Sequence, residues 1–380
     1  MSKGGYYGRY LVVDLKNKTW QAEDLPVDIM TEYLGGRGIG TKLLYDLQEG
    51  KVDPLSPENN FIIFTGPLGG TNSPGSSRIM FVTKSPLSNT VNATSMGGSF
   101  PNAFKGTGFD GVVIKGTSEE KVWIHITPED VTFHSAEDLW GLKTSETDAA
   151  VKEKVGDKCR VACIGPGGEK QVLFAAVVSE TRTASRGGAG AVMGSKNLKA
   201  IAVSGNVKPP IADKQAMEAA IKKIREEQNE NPSVVGMQAN GTAGLISVVN
   251  AMGALPTKNF QTGTFEAAEE ISGSAITEKN RVKTVACASC PVACSLIAEV
   301  KEGKFKGTKS EGPEYESAVM LGSDIMVGDT NTIIAANYLC DEYGIDTISV
   351  GNVIAFAMEC YEKGFLKDSD TGGLSLTWGD

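Results

Sequence analysis

Cys287-Ala288-Ser289-Cys290-Pro291-Val292-Ala293-Cys294 is the stretch that most limits what this chain can become, because three thiols at x2 and x3 spacing can converge on one inorganic centre through a single tight turn. A [4Fe–4S] cluster takes four thiolates, so this run would supply three corners and leave the fourth to a distant cysteine. Zinc competes for the same sulfurs. Structural zinc sites, however, usually pair a C-x2-C with a second short Cys/His pair, and no histidine follows His134. Buried or disulfide-bonded cysteines are the third reading, and a disulfide framework suits a short secreted chain better than this one of 380 residues.

Composition narrows the function class. A chain of 380 residues with 41% hydrophobic and 22% charged residues can bury a sizeable core in two or three domains. Its net charge of −9, with no compensating Lys/Arg block, argues against general nucleic-acid binding. The start Met-Ser-Lys-Gly-Gly shows no apolar run with a cleavage site, and later apolar runs such as Phe61–Phe64 and Leu245–Leu255 are too short to span a bilayer. A cytoplasmic, reducing location without membrane contact is therefore expected.

Patterning predicts an α+β chain, with a sheet-based N-terminal platform over 1–208 and a mostly helical domain over 209–380, divided at Lys208-Pro209-Pro210. Strands are expected at Tyr6–Leu15, Lys18–Ala22, Phe61–Thr65, Arg78–Thr83, Gly111–Lys115, Val122–Ile126, Arg160–Ile164, Gln171–Val178 and Lys199–Ser204. Helical spacing spans Val27–Leu47, where Gly35-Gly36-Arg37-Gly38-Ile39-Gly40 is expected to interrupt the helix. Thr144 or Ser145 is expected to cap a helix to about Val155, and Asp213 another that ends at Asn231-Pro232. Two more helices are expected at Thr330–Glu342 and Val350–Lys363.

Three glycine- and serine-rich segments invite a functional reading. Gly188-Ala189-Gly190-Ala191-Val192-Met193-Gly194 superficially matches a dinucleotide fingerprint, but Lys196-Asn197-Leu198-Lys199 leads at once into strand-like residues where a Rossmann unit needs a helix. What remains is expected to be a loop whose Arg182 and Arg186 suit a flat anionic ligand, since guanidinium both forks onto phosphate and stacks on rings. Arg78, after Ser73-Pro74-Gly75-Ser76-Ser77, and the run Thr94–Ser99 are expected to form similar loops, and singly each would also serve as an ordinary surface turn. Asp341-Glu342-Tyr343-Gly344-Ile345-Asp346 reads as a helix stop with Gly344 at its C-cap, or as carboxylates for the N–H groups of a heterocycle. Glu311-Gly312-Pro313-Glu314-Tyr315-Glu316 reads as a helix start with Pro313 in its first position, and its glutamates Glu314 and Glu316 are candidate proton-transfer groups.

Taken together, Leu34-Gly35-Gly36-Arg37-Gly38, Leu55-Ser56-Pro57-Glu58-Asn59, Thr83-Lys84-Ser85-Pro86-Leu87, Arg186–Ala200, Cys287–Cys294 and Glu311–Glu316 resemble, in order, the tungsten-containing aldehyde:ferredoxin oxidoreductase family. The resemblance runs from Tyr7 to the last residue. It implies a tungsten atom, less often molybdenum, held by two pterins (tungstopterin), a magnesium ion bridging the pterin phosphates, and a [4Fe–4S] cluster beside one pterin. It assigns Arg78, Ser95, Gly97, Gly98 and the loop Arg182, Thr183, Ala184, Ser185 to the pterins and magnesium, and Asp341, Ile345 and Asp346 to a D-x-x-G-L-D pterin motif with Ile for Leu. Cys287, Cys290 and Cys294 match three cluster ligands, and Glu316 matches the active-site glutamate.

The activity implied by the resemblance is oxidation of a small aldehyde to a carboxylic acid, with ferredoxin or a ferredoxin-like subunit as electron partner. A tungsten subunit of a benzoyl-coenzyme A reductase is the second enzyme reading, and a truncated, non-catalytic cofactor-binding fragment the reading from another class. Family chains are longer. A second D-x-x-G-L-C motif with the fourth cluster cysteine, and an active-site histidine, would lie beyond Asp380, so the sequence is expected to be a fragment or truncated product. Cys159, Cys163, Cys340 and Cys360 do not match the fourth ligand's position. Where some members bind a bridging iron through E-x-x-H, this chain has Ala335-Ala336-Asn337-Tyr338, so a homodimer would lack that iron.

Overall fold

The structure, a computed structural model, describes residues 4–380. The chain divides into two compact units: one runs to Glu226 and includes Cys287–Pro291 and Asp341–Ile345, and the other holds Glu227–Ala286, Val292–Cys340 and Asp346–Asp380. The α+β expectation is met.

The first unit carries two six-stranded sheets. Strands β1 (Arg9–Asp14), β2 (Thr19–Asp24), β3 (Phe61–Thr65), β4 (Ile79–Lys84), β5 (Val91–Met96) and β6 (Gly111–Lys115) form the first, in the order β2-β1-β6-β3-β4-β5, with helices α1 (Val27–Tyr33), α2 (Gly36–Leu47) and α3 (Phe100–Lys105) between them. Strands β7 (Val122–Ile126), β8 (Val131–Ser135), β9 (Arg160–Cys163), β10 (Val177–Ser179), β11 (Arg182–Ala184) and β12 (Leu198–Val203) form the second, in the order β11-β10-β9-β12-β7-β8, with helices α4 (Thr144–Val155), α5 (Pro166–Glu169) and α6 (Ala189–Ser195).

Strand alternation explains the layering. Along β3, Phe61 and Ile63 join a core shared with Ile124 and Ile201 of the other sheet, while Ile62 and Phe64 point the opposite way, against Ile39, Leu43 and Leu44 of α2. Trp123, Val161 and Ala200 likewise face Val151 of α4. Each fully buried large side chain contributes about 1.5–3 kcal/mol, so this double-faced burial dominates the stability of the unit.

Several local expectations change. The Gly35–Gly40 run breaks the helix only at Leu34–Gly35, and its remaining residues form the first turns of α2. Packing is the reason: Gly36 and Gly40 lie one turn apart, and a Cβ on Gly40 would come within 2.7 Å of Val82 Cγ2 on β4. The Gly188–Gly194 run is likewise no open loop, since α6 occupies it. A Cβ on Gly190 would clash with the Ala176 carbonyl oxygen, and one on Gly194 would overlap the Gly168 carbonyl oxygen. Gln171–Val178 is not one strand: Gln171 turns in the left-handed region after α5, Ala175 makes an isolated bridge, and only Val177 and Val178 of this stretch belong to a strand. Thr94–Met96 ends β5, so the Thr94–Ser99 run is half strand. The cap of α4 sits one residue early, at Lys143, whose N–H donates to Glu146.

Among three fully buried lysines, Lys105 is paired with Asp110 at 2.5 Å and Lys199 with Glu169, whereas the Lys196 ammonium donates to the carbonyls of Gly116 (3.0 Å) and Pro57 (3.4 Å). Burial pushes Lys196 down from 10.5 to about 8, with Glu58 opposing. Between about pH 8 and pH 10.5 the unfolded chain holds a proton that the folded chain has released, so stability rises with pH across that window, by at most about 3 kcal/mol. Urea midpoints of the wild type should therefore climb more steeply from pH 7.5 to 9.5 than those of Lys196→Met; parallel curves would show that Lys196 does not titrate there.

The second unit is mostly helical. It contains the C-terminal part of α7 (Lys214–Asn229), then α8 (Pro232–Asn240), α9 (Leu245–Ala251) and α10 (Gly273–Asn280), followed by the three-stranded antiparallel sheet β13 (Arg281–Val285), β14 (Ser295–Glu299) and β15 (Lys309–Glu311). Helices α11 (Tyr315–Met320), α12 (Thr330–Tyr343) and α13 (Thr347–Glu362) follow around a core that includes Ile271, Leu296, Ile333 and Met358. Asp213 caps α7 through the Ala216 N–H, as its position predicts. Among the described residues no helix is long and apolar enough to cross a membrane.

Candidate cofactor and cluster site

The β4–β5 ladder sets the geometry of the site. Its register pairs Ile79 with Met96 and Met80 with Ser95, which leaves Arg78 and Gly97 side by side just beyond the last pair. A Cβ on Gly97 would come within 2.8 Å of Cys287 Sγ and 3.5 Å of Arg78 Cζ, so glycine is what lets the cysteine approach. The next residue, Gly98, has φ +82°, and its N–H donates to Cys287 Sγ at 3.3 Å. A Cβ there would lie 2.9 Å from Arg182 Cγ. The structure thus gathers Arg78, Gly97, Gly98, Arg182 and Cys287 in one place. Their chemistry is coherent: an amide donor meets the sulfur, the Arg78 guanidinium lies beside the same glycine pair and the Arg182 stem packs on Gly98, an environment for anions and for a thiolate.

Neighbouring groups hold this cradle. Ser77, 1% exposed, donates its hydroxyl to the Gly98 carbonyl at 2.7 Å. Ser99 donates to Glu180 and accepts from Arg160 Nε, both at 2.9 Å, and Arg160 Nε lies 3.3 Å from the other Glu180 oxygen. Ser77 belongs to a serine-rich loop visible in the sequence, but nothing there signals Arg160 or Glu180. The expected Arg182 loop is strand β11, in which Thr183 and Ala184 pair with Val178 and Val177, and the Ala184 side chain is in the core. Ser185 follows the strand, half-buried.

Cys290 donates its N–H to the Cys287 carbonyl at 3.0 Å, which closes the turn between these cysteines. Asp341–Ile345 lies against other parts of the first unit: the Asp341 carbonyl accepts from Thr144 Oγ1 at 2.9 Å, the Gly344 carbonyl accepts from Ala176 N–H at 2.8 Å, and Ile345 bridges Ala175. Gly344, at φ +65°, ends α12 as the C-cap reading predicts.

The remaining predicted residues lie in the second unit. Cys294 precedes β14. Helix α11 starts at Tyr315, later than Pro313, with Glu314 as its N-cap. Glu314 accepts from Thr242 Oγ1 at 2.5 Å, and that oxygen accepts from Tyr315 N–H at 2.9 Å. Thr242 carries no sequence signal. Glu316 is exposed in the first turn of α11. Asp346 caps α13, accepting from Ser349 N–H at 3.0 Å and Ser349 Oγ at 2.5 Å.

Other groups are less suited to ligation. Burial raises the Cys159 thiol and pushes the Cys163 thiol up to about 12, which holds both protonated. Among the described residues no three His, Cys, Asp or Glu side chains are gathered closely enough to hold a metal ion by themselves. A cavity of about 590 Å³ between α2 and β5, lined by Thr41, Leu44, Tyr45, Lys84 and Val91, contains none of the predicted residues. The convergence on Cys287 has the stronger chemical case, because the Lys84 ammonium in that cavity is already engaged by the Gly50 and Val52 carbonyls.

Comparison with known proteins decides the family. The family described as "Aldehyde ferredoxin oxidoreductase, N-terminal domain" matches residues 10–205, and "Aldehyde ferredoxin oxidoreductase, domains 2 & 3" matches residues 219–380. The chain belongs to the aldehyde ferredoxin oxidoreductase family. Tungsten-containing aldehyde ferredoxin oxidoreductases of Pyrococcus furiosus and Thermococcus kodakarensis are each 42% identical over 380 residues, covering 99% of this chain and 62% of the relative. The chain therefore spans less than two thirds of the length of these curated relatives. An aliphatic sulfonate oxidoreductase, WOR-like subunit, of P. furiosus is 34% identical over 99% of this chain and 62% of its own length. Among solved structures, the active site complex of benzoyl coenzyme A reductase with 1,5-dienoyl-CoA is similar at TM-score 0.85 and 28% identity, covering 97% of this chain and 58% of that one.

Proposed function

We propose that the complete protein oxidises aldehydes to carboxylic acids at a tungstopterin centre and passes the electrons, one at a time, through a [4Fe–4S] cluster to ferredoxin. The reaction balances as aldehyde plus water giving carboxylic acid, two protons and two electrons. The observation that carries this reading is the Gly97–Gly98 cradle, in which Cys287 Sγ accepts the Gly98 N–H, with the Arg78 guanidinium beside Gly97 and the Arg182 stem against Gly98.

The residues fit the groups the family uses. Cys287, Cys290 and Cys294 would ligate the cluster. Arg78 and Arg182, with Ser95, Gly97, Gly98 and the backbone of Thr183–Ser185, would neutralise and hydrogen-bond the anionic pterins and their magnesium, and Asp341, Ile345 and Asp346 would hold pterin N–H groups. Bound tungsten would supply Lewis acidity and accept the electron pair. Glu316 would take a proton from water or return one to the aldehyde-derived group, and Glu314, tied to Thr242, would keep the first turn of α11 in place.

The structural likeness to benzoyl coenzyme A reductase supports a second reading, reduction of an aromatic thioester. Identity favours the first, at 42% against 28%. Assays of the complete protein against aldehydes with an oxidised dye, and against aromatic thioesters with a strong reductant, separate the two. Dye reduction that requires an aldehyde is the expected result; thioester reduction alone would establish the second reading.

A further inference from the structure

Gly98 is held on its C-terminal side by side chains that the proposed chemistry does not use. Its carbonyl accepts from the buried Ser77 hydroxyl at 2.7 Å. The following residue, Ser99, is fixed by Arg160 and Glu180, each at 2.9 Å from its hydroxyl oxygen. Glycine at φ +82° has little conformational preference of its own, so anchoring its carbonyl and the following residue limits how far the backbone at Gly98, and with it the N–H, can turn. With them it points at Cys287 Sγ from 3.3 Å.

We propose that Ser77 and Ser99 are positioning residues that hold the Gly98 N–H on the Cys287 sulfur and so raise the reduction potential of the cluster bound there. The inference rests on the reading of Cys287 as a cluster ligand. The physical argument is electrostatic: a reduced cluster carries one more negative charge than an oxidised one, so a hydrogen bond to a ligand sulfur stabilises the reduced form more. Neither serine touches the sulfur. Both act through the backbone of Gly98.

The test uses the complete protein purified anaerobically, with iron and sulfide counted in every sample, potentials measured by dye-mediated titration, and exchangeable protons near the reduced cluster detected by electron-nuclear double resonance in H2O and D2O. Ser77→Ala should keep the iron, lose or weaken one exchangeable-proton coupling, and lower the reduced-to-oxidised ratio at fixed poise by roughly threefold to tenfold. Ser77→Thr, which keeps the hydroxyl, should restore both readouts. Ser99→Ala, on the less buried side, should shift them in the same direction and carries the test if Ser77→Ala fails to fold. Wild-type potential and coupling in iron-replete alanine variants would overturn the inference while leaving the cluster reading intact. Wild-type protein without iron and sulfide would overturn both.

Discussion

Glu316→Gln in the complete protein should leave tungsten and iron content unchanged and lower kcat by roughly 10²–10⁴-fold, the loss typical when a positioned proton-transfer group is removed. The substitution is close to isosteric and the side chain is exposed, so packing is untouched. Glu316 lies in the first turn of α11, where loss of its negative charge from the helix N-terminus costs only about 0.3–1 kcal/mol. Stability therefore cannot account for a loss of that size. Because a proton-transfer group contributes chiefly in the transition state, KM should change much less than kcat. Glu314→Gln provides the contrast: the amide oxygen can still accept from Thr242, so kcat should fall far less. Near-normal turnover in Glu316→Gln would remove Glu316 from the chemistry.

The strands legible in the sequence are those buried on both faces. Phe61–Thr65, Gly111–Lys115 and Val122–Ile126 are mostly apolar and mostly buried, and each forms with the bounds expected for it. Polar strands are harder to see. Val91–Met96 contains Asn, Thr and Ser, and it forms a strand because β4 supplies a full ladder beside it. The two glycine runs depart from expectation for a shared reason. Glycine lowers helix propensity by about 1 kcal/mol, yet spacing of four residues puts Gly36 with Gly40, and Gly190 with Gly194, on one helix face, where a neighbouring strand or backbone comes too close for a Cβ. That i, i+4 spacing is the available signal, and tertiary contact outweighs propensity.

The candidate site is legible in its residue types more than in its assembly. Arg78, Gly97, Gly98, Arg182 and Cys287 stand out by motif, but nothing in the order of the chain says that Cys287–Pro291 and Asp341–Ile345 join a unit otherwise built before Glu227. Register does that work for Arg78 and Gly97, which meet because β4 and β5 pair as they do. The clamp residues are invisible for a different reason. Ser77, Arg160 and Glu180 come from separate loops and strands, and only the folded backbone brings them to Gly98.

The central claim is that the Cys287 cradle serves a tungsten and iron–sulfur centre, and elemental analysis of the complete protein purified without oxygen tests it most directly. Wild type should contain about one tungsten and about four irons per chain, with matching acid-labile sulfide and a reducible cluster signal in electron paramagnetic resonance. Cys287→Ser should lose most of the iron and that signal, because a hydroxyl is a poor replacement for a thiolate ligand. Zinc at about one per chain, with neither iron nor tungsten, would contradict the account and assign the three clustered cysteines to a structural metal; the absence of all three metals would leave a cofactor-free scaffold.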